Sequence, residues 1–244
     1  MESNIKSRST VIVALDFPNE QKALQLVDIL EPYHPYLKIG MELYYQTGPQ
    51  LIYKLKERGF SIFLDLKLHD IPNTVKGAAQ SLTRLGVDMF NVHCAGGIKM
   101  MQGAVEGIEQ ALIPGQKKPL LIGVTQLTST SQETLNQEIG ISGQMEQAVL
   151  HYANLAQKSG LDGVVCSPLE ITLIKESLGQ GFLTITPGIR PKETALDDQT
   201  RVTTPQEAAQ LGTDYMVIGR AITKAADPAQ MYAEILKQIE GESR

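Results

Sequence analysis

Eight short apolar runs recur along this chain, each followed by a longer stretch with helical periodicity, and few folds accommodate that alternation. The runs are STVIVALD (9–16), YLKIG (36–40), SIFLDLK (61–67), MFNVHC (89–94), PLLIGVT (119–125), DGVVCS (162–167), GFLTITPG (181–188) and DYMVIGR (214–220). Each is short and almost continuously hydrophobic, as strands buried on both faces are. Helical patterns fill 19–33, 48–58, 71–86, 97–112, 144–159, 168–178, 204–211 and 228–240. Asn19 is placed to cap the first of these, Pro72 opens the third, and Gly59 and Gly86 are stop signals.

Strands that alternate with helices run parallel and join through right-handed crossovers, and eight such units close on themselves. The expected fold class is therefore α/β: a (β/α)8 TIM barrel in a single domain over 1–244, with 1–8 as a short N-terminal extension. An open doubly wound sheet is the alternative. It needs a glycine-rich first turn to bind a dinucleotide, and the first strand ends ALDFPNE instead. No GxxxxGK[ST] occurs, so a P-loop is excluded. The one long irregular segment, TQLTSTSQETLNQEIGISG (125–143), is expected to be a mobile lid.

The formal net charge of −5 argues against a nucleic-acid partner, although a few cations in one pocket would still hold a small phosphorylated ligand. No apolar stretch approaches the ~18 residues of a membrane span, and MESNIKSRST has no signal-peptide core, so a cytoplasmic protein is expected. The two cysteines, Cys94 and Cys166, lie in apolar runs without zinc-site spacing and read as buried, reduced thiols.

Barrel chemistry sits at the C-terminal ends of the strands. There the chain places Asp16, Lys38, Asp65, Lys67, Asp70, His93, Thr125, Thr128, Arg190, Gly219 and Arg220. Lys38 and Asp65 interrupt apolar runs, where an unpaired charge is costly, so alternating ammonium and carboxylate groups are expected to offset one another. Asp65 and Lys67, two apart on a strand, face the same way. Asp70 reads equally as a helix-capping residue before Pro72. TPGIRP puts Gly188 and Arg190 after the seventh strand, and VIGRAIT puts Gly219 and Arg220 after the eighth. These two loops form the usual phosphate site of such barrels. Either arginine alone could be a solvated surface charge. His69 and His93 call for caution: His93 reads as a base or as a satisfied strand-end histidine and is assigned no catalytic role, while His34 and His151 carry no signal.

DLKLHDIPNT resembles the Asp-x-Lys-x-x-Asp signature of the orotidine 5′-monophosphate decarboxylase family in its bacterial form. ALDF at Asp16, LKIG at Lys38, VTQLTS at Thr128, TPGIRP at Arg190, DDQTRV at Gln199 and IGRAIT at Gly219 and Arg220 extend the likeness in order along the chain. The resemblance implies decarboxylation of orotidine 5′-monophosphate to UMP and CO2 without metal or other cofactor. It places Asp65 against the substrate carboxylate and makes Lys67 the proton donor to C6. Lys38 would bridge Asp65 and the ribose, Asp16 would hold ribose hydroxyls, and Thr128 would contact the base. Gln199, Arg190, Gly219 and Arg220 would hold the phosphate. It further implies a homodimer in which Asp70 and Thr74 reach the neighbouring site.

Two rival readings compete. Sister enzymes, Mg²⁺-dependent sugar-phosphate decarboxylases or aldolases, share Asp-x-Lys-x-x-Asp but carry a metal-holding glutamate where this chain has Lys38, and an ammonium cannot ligate a cation. A non-catalytic phosphate-binding barrel would have no use for Asp65, Lys67 and Lys38 together.

Overall fold

The computed structural model describes residues 9–191 and 203–241. Its strands are β1 (Thr10–Ala14), β2 (Tyr36–Gly40), β3 (Ile62–Leu68), β4 (Met89–His93), β5 (Leu120–Val124), β6 (Gly163–Val165), β7 (Leu183–Pro187) and β8 (Tyr215–Ile218). All pair in parallel, each with its sequence neighbours, and β1 pairs with β8 to close the barrel. The helices around it are α1 (Glu20–Leu30), α2 (Met41–Thr47), α3 (Pro49–Glu57), α4 (Pro72–Leu85), α5 (Gly97–Ala111), α6 (Met145–Lys158), α7 (Ile171–Leu178), α8 (Pro205–Leu211), α9 (Arg220–Thr223) and α10 (Pro228–Glu240). The (β/α)8 expectation is met, and none of the described helices is long and apolar enough to cross a membrane.

Alternation along each strand divides the core in two. Val11, Val13 and Leu15 of the first run face outward into the cluster shared with the helices, together with Leu37, Ile39, Leu64, Phe90 and Val92. Ile12, Ala14, Phe63, Met89, Ile122, Ile185 and Val217 face inward and fill the barrel. Charged side chains join that inner set only toward the C-terminal ends, where Asp16, Lys38, Asp65 and Lys67 stand. On the β1–β3 side the interior thus changes from a packed plug to a charged bowl within one or two residues.

The opposite rim is stitched by aspartates. GVD (86–88), GLD (160–162) and GTD (212–214) each put an aspartate immediately before an even-numbered strand. Asp88, Asp162 and Asp214 accept from the backbone N–H of Ile62, Leu121 and Thr184, at the starts of the preceding strands, at 2.8, 2.7 and 2.7 Å. Their own carbonyls accept from Leu120, Leu183 and Thr10 on the following strands. Each aspartate so joins the strands on either side of its own, and Asp214 carries the stitching from β7 round to β1. Lys175, 5% exposed, ion-pairs with Asp214 at 2.7 Å and donates to the carbonyls of Gln180 and Phe182.

Most expected boundaries hold, including the Asn19 cap, which accepts from Lys22 N–H. Two features differ. The chain after β2 turns at once into α2, because Met41–Thr47 carries one buried anchor, Leu43, too few to register as a periodic stripe. The 125–143 segment is not irregular throughout: Thr134–Glu138 forms a turn of π-helix. Leu135 is fully buried beneath it, and the side chains of Gln132 and Asn136 donate to the carbonyl of Gly143.

Candidate active site

A cavity of about 330 Å³ opens at the C-terminal end of the barrel. Asp16, Lys38, Asp65, Lys67, Thr128, Arg190, Gly219 and Arg220 all line it, so eight of the residues expected from sequence meet in one place. Gln199 lies outside the described residues. Asp70 and Thr74 are exposed and do not line this cavity. Asp70 Oδ1 accepts from the N–H of Ile71 at 2.6 Å, while no side chain caps α4, so the helix-cap alternative for Asp70 is not what the fold uses.

The charged cluster is built outward from Asp65. Lys67 Nζ lies 2.6 Å from Asp65 Oδ1, and Lys38 Nζ lies 3.3 Å from Oδ2 of the same carboxylate. Lys38 also donates to Asp16 Oδ1 at 3.0 Å. The order Asp16–Lys38–Asp65–Lys67 therefore alternates in sign. Asp65 and Lys38 side chains are only 13% and 10% exposed, whereas Asp16, at 60%, stands at the mouth. Gly40 leaves room for this arrangement, since a Cβ there would sit 3.1 Å from Lys38 Nζ.

Burial opposes ionisation of the Asp65 carboxyl. The Lys38 and Lys67 ammoniums, with hydrogen bonds from Lys67 and Asn91, overcome it and hold the group below the usual carboxylate range. Burial likewise opposes charge on Lys38, and Asp65 and Asp16 outweigh it, holding that ammonium above its ordinary pKa. Both groups are thus charged across the neutral range.

Local backbone geometry aims Lys67. Its φ is +53°, a left-handed conformation rare outside glycine, asparagine and aspartate. The β3–β4 register shifts between Leu64 and Leu68, so Lys67 sits on a bulge. Asn91 of β4, 1% exposed, accepts from Lys67 N–H and donates to Asp65 Oδ1, both at 2.8 Å. Asn91 escaped the sequence reading, although an amide inside the apolar run MFNVHC was a usable signal.

Across the cavity, the β7 and β8 loops bring Gly188, Arg190, Gly219 and Arg220 together. Gly188 has φ +82°, and Arg190 is 7% exposed with its backbone N–H bonded to Thr203. Gln126, Leu127, Thr128 and Ser129 form the third side. Thr125, placed among the strand-end candidates, is buried and donates to Val165 O at 2.9 Å, a structural role. His93 stays outside the lining, half-buried with its ring centroid 5.4 Å from that of His69. Burial, His69 and Lys67 push its pKa down.

This geometry belongs with a known sequence pattern. The family model for orotidine 5′-phosphate decarboxylase / HUMPS matches residues 9–235. The chain belongs to that family. A Bacillus cereus (strain Q1) protein named orotidine 5′-phosphate decarboxylase is 53% identical over 232 residues, 95% of this chain and 98% of the relative. A Bacillus mycoides protein of the same name is 52% identical over the same shares. Among solved structures, orotidine 5′-phosphate decarboxylase from Lactobacillus acidophilus aligns with a TM-score of 0.86 at 41% identity, covering 95% of this chain and 99% of that one. An uncharacterized conserved protein from Geobacillus kaustophilus aligns at 0.82 and 47% identity, over 94% and 99%. The family model spans every described cavity residue.

Proposed function

We propose that this barrel decarboxylates orotidine 5′-monophosphate to UMP and CO2 in pyrimidine biosynthesis, with Lys67 as the proton donor and no metal or other cofactor. One observation carries the reading: a chain of alternating charges, running from Asp16 at the mouth through the buried Lys38 and Asp65 to the Lys67 ammonium, faces, across one cavity, two arginines on the β7 and β8 loops. The phosphate would lie at Arg190, Gly219 and Arg220 with Gln199, and the ribose at Asp16 and Lys38. Thr128 would meet the base, and the substrate carboxylate would lie against Asp65.

In the reaction the C6–carboxylate bond breaks and its electron pair stays on C6, where no adjacent carbonyl can delocalise it. An ammonium fixed at that position stabilises the developing charge and then transfers its proton to C6, and Lys67 is reprotonated from water. The pair with Asp65 holds the ammonium in place before substrate arrives. Phosphate bound remotely supplies energy to order these groups.

The donor set supports metal independence. Lys38 Nζ lies between Asp16 and Asp65, at 3.0 and 3.3 Å, where a shared cation would have to sit, and an ammonium repels one. Among the described residues no group of three or more His, Cys, Asp or Glu side chains is placed to hold a metal ion. The exposed positions of Asp70, Thr74 and Ile71 on the rim suit a homodimer in which they serve a neighbour's site. Two buried, unpaired thiols suit a reducing compartment, and we place the enzyme in the cytoplasm.

The test is a spectrophotometric assay of orotidine 5′-monophosphate consumption with UMP identified as product, in EDTA. Full activity is expected. Activity that appears only on adding Mg²⁺ would move the chain to the metal-dependent sugar-phosphate branch.

A further inference from the structure

We propose that Asn91 is a positioning residue, whose single side chain sets both the backbone of Lys67 and the carboxylate of Asp65. A neutral amide buried inside a barrel has to be satisfied, and both halves of this one are used within the cluster. Its Oδ1 accepts from Lys67 N–H and its Nδ2 donates to Asp65 Oδ1, both at 2.8 Å. Asp65 Oδ1 is the same oxygen that Lys67 Nζ approaches at 2.6 Å. The amide has only one orientation available: the backbone N–H of Lys67 can only donate, so the oxygen faces it and the nitrogen faces the carboxylate.

The need for this clamp comes from the strand. β3 and β4 pair at Leu64↔Phe90 and again at Leu68↔Val92, so more residues separate the pairs on β3 than on β4. The surplus bulges, Lys67 takes φ +53°, and the regular ladder supplies no partner for its N–H. Asn91, the residue between Phe90 and Val92, supplies one from its side chain. The conformation that carries the ammonium back to Asp65 is thus held from the neighbouring strand, as a strained residue at a working site has to be. Serine or alanine is too short to hold both groups. Aspartate keeps the acceptor but sets a second carboxylate against Asp65.

This inference rests on the proposed role of Lys67 as the acid. It is tested with Asn91→Ala and Asn91→Asp beside the parent enzyme, measuring kcat and KM for orotidine 5′-monophosphate and the dissociation constant of UMP by calorimetry. Both variants should lose about 10–100-fold in kcat, the range typical when a group that orients a reactive ligand is removed. UMP affinity should stay within about threefold, because Arg190 and Arg220 grip from the far wall. The aspartate variant, of the same shape as the parent residue, decides the matter if the alanine variant does not fold. A kcat within about threefold of the parent, or UMP affinity falling in step with kcat, would overturn the positioning role while leaving the decarboxylase reading intact. A parent enzyme that fails to make UMP would remove both.

Discussion

Lys67 Nζ lies 2.6 Å from Asp65 Oδ1, two residues back on the same strand, and reaches it from a left-handed backbone conformation. The pair is close because β3 bulges there, and the bulge points both side chains at one cavity. The energetic consequence is a site whose charges are fixed before substrate enters, so little reorganisation is left for the reaction itself.

Titration of that pair gives a stability prediction. The folded Asp65 carboxyl titrates below its unfolded value, near 3.9. Its contribution is therefore complete above about pH 4 and lost as pH falls through the folded value. Urea unfolding of the parent should weaken more steeply below about pH 4 than that of Asp65→Asn, which lacks the titrating group. Parallel pH dependences would show that Asp65 is not held down in the folded state. Lys38 works in the opposite window, its contribution being lost only as pH rises past about 10.4.

Arg220→Ala should raise KM for the nucleotide by about 10–100-fold, the worth of a charge-assisted contact, and barely affect a phosphate-free nucleoside substrate. Steady-state kinetics on both substrates check this. Equal losses on the two would make Arg220 a structural residue.

Much of this site could be read from sequence because charge inside an apolar strand is costly and therefore conspicuous. Asp65, Lys67 and Lys38 stood out for that reason, and strand-end position gathered them with Arg190 and Arg220 into one bowl. Asn91 did not stand out, because a lone neutral amide is ordinary and its meaning depends on a register shift between two strands. The left-handed Lys67 was invisible too: nothing in DLKLHD marks a lysine for positive φ. Helix α2 was hidden by its single buried anchor, and the order inside 125–143 by Gln132 and Asn136, whose bonds to Gly143 are neither periodic nor apolar. The repeated Gly-x-Asp before β4, β6 and β8 was present in the sequence, but its stitching role emerges only when the strands are side by side.

The N-terminal rim offers a prediction that does not involve the active site. Lys175→Met keeps most of the side-chain volume and removes the charge opposite Asp214, leaving a largely buried carboxylate without its cation. Loss of about 3–5 kcal/mol of unfolding free energy is expected, with kcat unchanged in the folded protein. Adding Asp214→Asn should restore a large part of it, since the stranded charge is then gone. A single variant as stable as the parent would show that the pair contributes nothing net.

Asp70 and Thr74 are exposed and do not line their own chain's cavity, and in the twofold dimer we propose each site would receive its neighbour's Asp70. Two inactive variants, Lys67→Ala and Asp70→Ala, unfolded, mixed in equal amounts and refolded, should recover about a quarter of parental activity under random pairing. Half of the dimers would be mixed, each with one intact site. No recovery would mean that Asp70 serves its own chain.

The proton-donating ammonium is the centre of the account, and it can be removed and rebuilt chemically. Cys94 and Cys166 are both buried, with burial pushing the Cys94 thiol up to about 12 and the Cys166 thiol higher still, so neither competes for an alkylating reagent. In Lys67→Cys the introduced thiol is the reactive one, and 2-bromoethylamine converts it to a lysine-like amine of nearly the same length. Turnover of orotidine 5′-monophosphate should fall at least about 10²-fold on substitution, the usual cost of losing a positioned acid, and return substantially after aminoethylation. Activity retained in the unmodified variant, or none regained with the amine in place, would contradict Lys67 as the acid.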